Sequence, residues 1–443
     1  MKSFFSALLI ASLLTLSACG GGSGGSVSNP WERAGQTPVA AENPDSLEIR
    51  NQWLNKTTPP VTQDQSSLTV YPSGQAPIPA PAFSAKQVKV ALLVPLSGPH
   101  SEVGEAIVNA AQLALFDVGA STFELLPRDT KGTASGAYSA AENAVAEGAQ
   151  LILGPLLADE VRSVAPVASA ANINVIAFTT DWKQAGGSTY VMGFVPFGQV
   201  QRVVTYAASK GLRNIGVIAP QTEYGNAVLS AYNAYAPQSG LQTVDTVRFR
   251  AGDAGLSPVI QKFARFDSRK QPDGTFAPAP FDAVFLPAGG SDAHTIANLL
   301  SYYELDTTSV RRLGTGLWDD GTMARETNLN GGWFAAPDPS ARATFDGKYR
   351  DAYGMTPPRL ASLGYDATAL AAVLARTGIQ RAGSPAFDRV SITNPNGFAG
   401  IDGIFRFRPD GLAERGLAVL EIKNGVAVVV DPAPRTFQGA VTQ

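Results

Sequence analysis

Beyond residue 86 the chain alternates between short apolar runs and segments whose apolar residues recur every three or four positions. VKVALLVPLSG at 88–98 is rich in Val and Leu and ends in glycine, the composition of a parallel strand buried on both faces. Ile107, Ala110, Ala111, Ala114, Leu115 and Val118 follow at i, i+3, i+4, i+7, i+8 and i+11, the apolar stripe of a helix. The alternation repeats with FELLPRD at 123–129, a helix turning Ala137, Ala141, Ala144 and Val145 inward, QLILGPL at 150–156, a helix over 159–171 and NVIAFTT at 174–180.

A second series starts near Phe197. Val200, Val203, Val204, Ala207 and Ala208 mark a helix that Gly211 ends, because glycine accepts the left-handed conformation there. NIGVIAP at 214–220, a helix from Tyr224 to Ala236, TVDTVRF at 243–249, a helix over 256–268, FDAVFLPAGG at 281–290 and a helix from Ser291 to Leu305 follow. The polar, Pro-containing stretch 269–280 reads as a loop. These are two sequential α/β units, and 443 residues with 44% hydrophobic content exceed what one core usually serves. The remainder completes both lobes: strands at 311–318 and 331–338, a helix over Leu363 to Arg376, and a closing hairpin or meander with turns at Pro409-Asp410-Gly411 and Asn424-Gly425.

The N-terminus has a different character. Lys2, the apolar stretch Phe4 to Leu16 and the tetrapeptide Leu16-Ser17-Ala18-Cys19 read as a signal peptide over 1–18, several residues short of the roughly 20 that span a bilayer. LSAC resembles the bacterial lipobox, which implies lipid on Cys19 and a membrane anchor. Cys19 is the only cysteine, so it has no partner for an internal disulfide. Gly20 follows it in place of Asp, which resembles lipoproteins sorted to the outer membrane and facing the periplasm. Residues 19–85, Gly- and Ser-rich and then Pro-rich, form a flexible tether averaging roughly 45 Å end to end.

A formal charge of −3 without a basic cluster gives no footprint for nucleic acid. His100 and His294 are the only histidines and neither has metal-ligand neighbours, so no metal or cofactor is expected. GGSGG at 21–25 fits G-x-S-x-G but lies in the tether without a strand before it. Ser291, Asp292 and His294 sit too close together on a helix start to converge as a triad; Ser291 reads as an N-cap and Asp292 as a dipole partner. No catalytic residue is assigned. In open α/β sheets ligands bind beyond the carboxyl ends of the strands. That rule selects Ser97, Arg128, Asp129, Leu157, Ala158, Thr179, Thr180 and Asp181 from the first unit, and Tyr224, Gly290, Ser291, Asp292 and Trp318 from the second, as a cleft for a small polar ligand.

VALLVPLSGPHSEVGEAIVNAAQLAL, ILGPLLADEV, Tyr224-Gly225, GYDA at 364–367 and the FAGIDGIFRF ending resemble the type I periplasmic-binding-protein fold of the branched-chain amino-acid receptors, over about residues 86–430. The resemblance implies two doubly wound parallel-sheet lobes that close on a ligand and are joined by three crossovers, here near 196, 337 and 385. Lobe 1 is then 86–196 plus 338–385, lobe 2 is 197–337 plus 386–432, and 433–443 is a tail. ILGPLLADEV, NVIAFTTDW, VPFGQVQRVVTYAASKG and IAPQTEYGNAVLSAY are more similar to the lipoprotein penicillin-binding protein activators, which implies a non-enzymatic regulator of peptidoglycan synthesis with a bifunctional penicillin-binding protein as partner. Those activators carry a helical-repeat domain where this chain has its tether. The receptors resemble one another in a hydroxyl residue, three positions after the Gly-Pro proline, that meets the ligand carboxylate. Here that position is Ala158, which cannot donate, and this tilts the reading from the alternative, the solute-binding component of an amino-acid ABC transporter, toward the regulator. An amino acid or a peptidoglycan fragment is the small ligand expected.

Overall fold

The computed structural model describes residues 87–119 and 123–437; the signal peptide, Cys19 and the tether lie outside them. The first sheet takes β1 Val88–Val94, β2 Phe123–Asp129, β3 Leu151–Leu153, β4 Asn174–Ala177 and β5 Thr189–Val191, all parallel, in the order β2-β1-β3-β4-β5. Side chains alternate along β1. Val90, Leu92 and Val94 pack on one face with Ile107 and Ala111 of helix α1 (Ser101–Val118), while Ala91 and Leu93 pack on the other with α2 (Ala134–Ala146) and α3 (Ala158–Ala170). Burial on both faces is why this strand reads as a continuous apolar run.

The second sheet repeats the plan with β6 Asn214–Pro220, β7 Gln242–Phe249, β8 Ala283–Phe285, β9 Arg311–Leu313 and β10 Trp333–Ala336, in the order β7-β6-β8-β9-β10. Helices α4 (Pro196–Ser209) and α5 (Glu223–Gln238) cover one face; α6 (Leu256–Phe263) and α7 (Gly290–Tyr302) cover the other. The strand expected over 311–318 stops at Leu313. Residues Gly316–Trp318 form a short 3-10 turn that swings the Trp318 ring against Gly314, where a Cβ would meet ring carbon at 2.2 Å.

Helix α8 (Pro339–Tyr353) escaped the periodicity reading because its exposed faces are charged. It packs Phe345 and Tyr349 on α1, and α9 (Ala361–Ala382) also belongs to lobe 1. The chain's ending is not one meander. β11 Phe398–Gly400, β12 Gly403–Phe407 and β13 Ala413–Arg415 form a separate antiparallel sheet whose Phe398, Phe405 and Phe407 enter the lobe 1 core, and whose Leu412 bridges Val191 at the β5 edge. β14 Ala418–Lys423 and β15 Val426–Asp431 then add antiparallel strands to the second sheet beside β10. Their turn, Asn424-Gly425, takes φ of 53° and 86°, as a two-residue hairpin demands.

The chain therefore passes between the two sheets at 192–195, at 337–338 and at 416–417. The third passage corrects the expected position near 385. Residues 386–415 stay with lobe 1 because their aromatic side chains need its core, and only from Ala418 do alternating Ala, Val, Leu and Ile enter lobe 2. The start of the expected tail is packed rather than free, with the Arg406 guanidinium 4.4 Å from the Phe437 ring. No helix among the described residues is long and apolar enough to cross a membrane.

Phe405 is fully buried where the small sheet meets lobe 1. Phe405→Ala is expected to cost about 3–5 kcal/mol in urea unfolding; a value under about 1 kcal/mol contradicts this placement.

Candidate functional site

Strand order reverses between β1 and β3 and between β6 and β8, and in open α/β sheets the ligand crevice lies beyond the carboxyl ends at such points. More than half of the predicted cleft residues lie at these ends, and most of the thirteen have hydrogen bonds within their own lobe. Ser97 Oγ donates to Asp129 Oδ2 at 2.7 Å, and the Leu96 and Lys131 amides donate to Oδ1 at 2.8 and 2.7 Å. Burial pulls the Asp129 carboxyl up, but these bonds prevail and hold it below its usual value. Arg128 turns to Glu147 and to the Pro127 carbonyl. The Leu157 amide donates to Oε2 of Glu160 at 3.0 Å, and Ala158 opens α3. Glu160 is fully buried, and burial pushes its carboxyl up against hydrogen bonds from Thr130, Leu157 and Leu156. Thr179 Oγ1 accepts from the Asp181 amide at 3.1 Å; Asp181 in turn accepts from the Lys183 amide at 3.1 Å and from Gln184 at 2.8 Å. Thr180 stands half-buried beside them.

In the second lobe the Tyr224 hydroxyl shares a 2.7 Å bond with Thr315 Oγ1, and burial pushes the phenol well above its ordinary value. Gly289, not Ser291, is the N-cap of α7. Gly290 opens the helix with φ of 55°, Ser291 is exposed in the first turn, and Asp292 accepts the Gly252 amide at 2.9 Å. Trp318 does not reach the cleft: it is fully buried against Phe334, and its Nε1 donates to the Ala288 carbonyl at 2.9 Å. Lys183 Nζ meets Glu223 Oε2 at 2.5 Å, and Trp182 lies edge-on to Phe197 at 5.5 Å. Both contacts join lobe 1 to lobe 2.

The open chemistry sits at the hinge. A partly enclosed cavity of about 20 Å³ is lined from all three passages: Gly193 to Val195, Ala336 and Pro337, and Ala413, Arg415 and Leu417, with Gln199, Gly316, Asp319 and Arg359. Hydrogen bonds tie the first and third passages to each other and to the helix that follows the first. Arg415 Nη2 donates to the Met192 carbonyl at 2.8 Å, the Gly316 amide to Gln199 Oε1 at 2.8 Å, and Arg202 Nε to the Leu417 carbonyl at 2.9 Å. The guanidiniums of Arg359 and Arg415 lie 4.4 and 4.7 Å from the Phe194 ring centre. Arg359 pairs with the buried Asp402, whose Oδ2 also accepts from Ser362 at 2.6 Å. Burial opposes a charge on Asp402, but Arg359, Arg342 and Arg415 outweigh it and keep the carboxyl below its usual value. Asp366 accepts the Ile401 amide at 2.7 Å, and burial together with Asp402 pushes its carboxyl up. Asp319, 4.0 Å from Arg359 Nε, is also raised by burial, against the pull of Arg359 and Arg342. Among the described residues no group of three or more His, Cys, Asp or Glu is placed to hold a metal ion.

With this geometry in hand, comparison with known proteins decides the family: residues 87–427 match the periplasmic binding protein family. The chain belongs to that family. Its α/β fold with two parallel-sheet lobes matches a branched-chain amino-acid ABC transporter periplasmic ligand-binding protein from Burkholderia xenovorans LB400, at 17% identity and TM-score 0.63, over 80% of this chain and 97% of that one. It also matches the branched-chain amino-acid transporter substrate-binding protein LivJ from Streptococcus pneumoniae in complex with isoleucine, at 20% identity and TM-score 0.53, over 78% of this chain and all of that one. The uncharacterized protein RP748 of Rickettsia prowazekii is 20% identical over 226 residues, 51% of this chain; the match spans 59% of that protein's length.

Within this family frame, the residues missed from sequence are Phe194, Arg359, Asp402 and Arg415. The one available signal was an acid in each of two motifs, Asp366 in GYDA and Asp402 in GIDG, although 35 residues separate the Asp366 acceptor from the Ile401 amide it binds. Removing Asp402 strands a buried guanidinium, so Asp402→Ala is expected to cost about 3–5 kcal/mol in thermal or urea unfolding. Asp366 holds its proton more tightly folded than unfolded. Its contribution is therefore full below the ordinary carboxyl value near 4 and is lost as pH rises through the raised folded value. Asp366→Asn keeps the acceptor for Ile401 and is expected to flatten that fall in a series of melts across pH; an unchanged slope rules out Asp366 as its source.

Proposed function

We propose that this chain is an extracytoplasmic binding protein, lipid-anchored through Cys19, that captures a small polar solute of amino-acid size between its lobes as the solute-binding component of an ABC-type transporter. The observation that carries this reading is the pair of contacts between the lobes, Lys183 with Glu223 and Trp182 with Phe197, in a molecule whose chain crosses from one lobe to the other at three short passages among the described residues. Such a joint lets the lobes approach and separate, and contacts between them favour the closed arrangement. The family assignment supports capture rather than chemistry, and the isoleucine bound by the Streptococcus pneumoniae relative supports an amino-acid-sized solute. The signal sequence and the lipobox support delivery to the outer leaflet of the cytoplasmic membrane or, through Gly20, to the periplasmic face of the outer membrane.

A second reading is favoured by specific residues. Ala158 offers no hydroxyl to a ligand carboxylate, and Ser97, Asp129, Thr179, Asp181, Tyr224 and Asp292 already have partners in their own lobes. Those features suit an outer-membrane regulator of peptidoglycan synthesis that uses the lobes to contact a bifunctional penicillin-binding protein, with a peptidoglycan fragment as its small ligand. The roughly 45 Å tether gives such a protein reach from its membrane.

Melting the mature chain carrying Cys19→Ser against amino acids and peptidoglycan fragments separates the two. A captured solute at 100 times its dissociation constant adds about 2.7 kcal/mol of stability, a shift of some degrees. Lys183→Glu, which sets two like charges face to face, is expected to weaken that solute about two- to fivefold. A flat panel together with retention of a penicillin-binding protein of the same host on the immobilised chain reverses the order of the two readings.

A further inference from the structure

Arg415 is the least satisfied charge in the described molecule. Its Nη2 is used by the Met192 carbonyl, but its Nε and Nη1 are shielded from solvent and have no hydrogen-bond partner. No carboxylate among the described residues lies within 4.0 Å of its guanidinium; Asp402 and Asp366 act on it only from farther away. Arg359, whose side chain is 7% exposed, carries a second unpartnered buried donor at Nε, with Asp319 no nearer than 4.0 Å. The two guanidiniums lie on the same ring, Phe194, and both line the hinge cavity of about 20 Å³. Buried donors left unmade are costly, and a buried cation without a counter-charge more so. The cavity has room for one group a little larger than water. The rest of the lining is apolar or already bonded, Val195, Ala413 and Leu417 with Gln199 Oε1 held by the Gly316 amide, apart from the Asp319 carboxyl, which stands 4.0 Å from Arg359 Nε and which burial pushes up toward its neutral form.

We propose that the hinge cavity is a small-anion site, where Arg415 Nη1 or Nε and Arg359 Nε hold a halide ion or the carboxylate head of a ligand. The chemistry is the same for both sources: a compact negative group accepting charge-assisted bonds from two guanidiniums in a partly dry pocket. A site here touches all three passages at once, so its occupancy stiffens the joint on which the lobes move. The carboxylate source rests on the solute-capture reading above; the free-ion source does not.

The test uses the full mature chain carrying Cys19→Ser, at fixed ionic strength, with sodium chloride or bromide replacing sodium gluconate. A saturable rise in melting temperature is expected, and Arg415→Gln is expected to move its midpoint at least about tenfold. Arg162→Gln, which removes an exposed pair with Asp159, should leave the midpoint in place. Crystals of the unsubstituted protein grown with bromide give an independent readout should Arg415→Gln fail to fold: an anomalous peak is expected beside Arg415 and Phe194. Loss of that peak with leucine but not with leucinamide assigns the site to a solute carboxylate, while a peak retained in both assigns it to a free ion. A melting temperature indifferent to halide, with no peak or with a peak of an adventitious ion only, overturns the proposal. Stabilisation by an amino acid in that same series leaves solute capture standing without the hinge site.

Discussion

The junction between the two lobes is built on one buried cluster, the pairing of Arg359 with Asp402 beside the passages. Arg359 stands just before α9 of lobe 1, and Asp402 lies in the turn between β11 and β12. Their bond, with the Ser362 hydroxyl on the same carboxylate, fastens the small sheet to lobe 1 immediately before the chain leaves for lobe 2. Two charges removed from water are tolerated only if their geometry is good and the remaining lone pairs are used. Here Asp402 meets that condition fully, while Arg359 retains one donor and Arg415 two. Gly400 is part of the arrangement, since a Cβ there would stand 2.5 Å from the Asp366 carboxylate.

The two lobes solve one packing problem in the same way. Each builds a five-stranded parallel core in the same strand order with helices on both faces, and each hides its apolar runs by splitting them between two layers. They differ at the edge next to the hinge. Lobe 1 covers β5 with a separate antiparallel sheet, whereas lobe 2 continues β10 directly into β14 and β15. Both devices cover the strand edge beside the joint, where an unpaired row of amides would invite association.

Polar groups have been redistributed between cleft and hinge. At the strand ends, where a binding protein of this fold has its crevice, the hydroxyls and carboxylates close turns and cap helices. At the hinge, guanidiniums gather with donors to spare. A charged group that is fully hydrogen-bonded inside its own loop has little left for a ligand, so the capacity to bind follows the unspent donors rather than the most polar loops.

Much of the architecture was legible in the residues themselves, because strand and helix periodicities, the glycine after α4 and the Asn424-Gly425 turn depend on neighbours in the chain. That Ser97, Asp129, Thr179 and Tyr224 stand at or just beyond the carboxyl ends of strands was likewise legible, since strand direction follows from the α/β alternation. What they bond to there was not legible. Whether Arg128 faces the cleft or Glu147, whether Trp318 lines a site or fills a core, and that Arg359, Asp402, Arg415 and Phe194 converge are outcomes of how distant segments dock. The same holds for the third passage, which alternation alone placed near 385 and the aromatic side chains of β11 to β13 moved to 416–417. The sequence by itself determined most of the strands and helices, their order and the two-lobed class, because those rest on local spacing. Only the tertiary structure decided where charge is left uncompensated, because that depends on which groups reach one another across the fold.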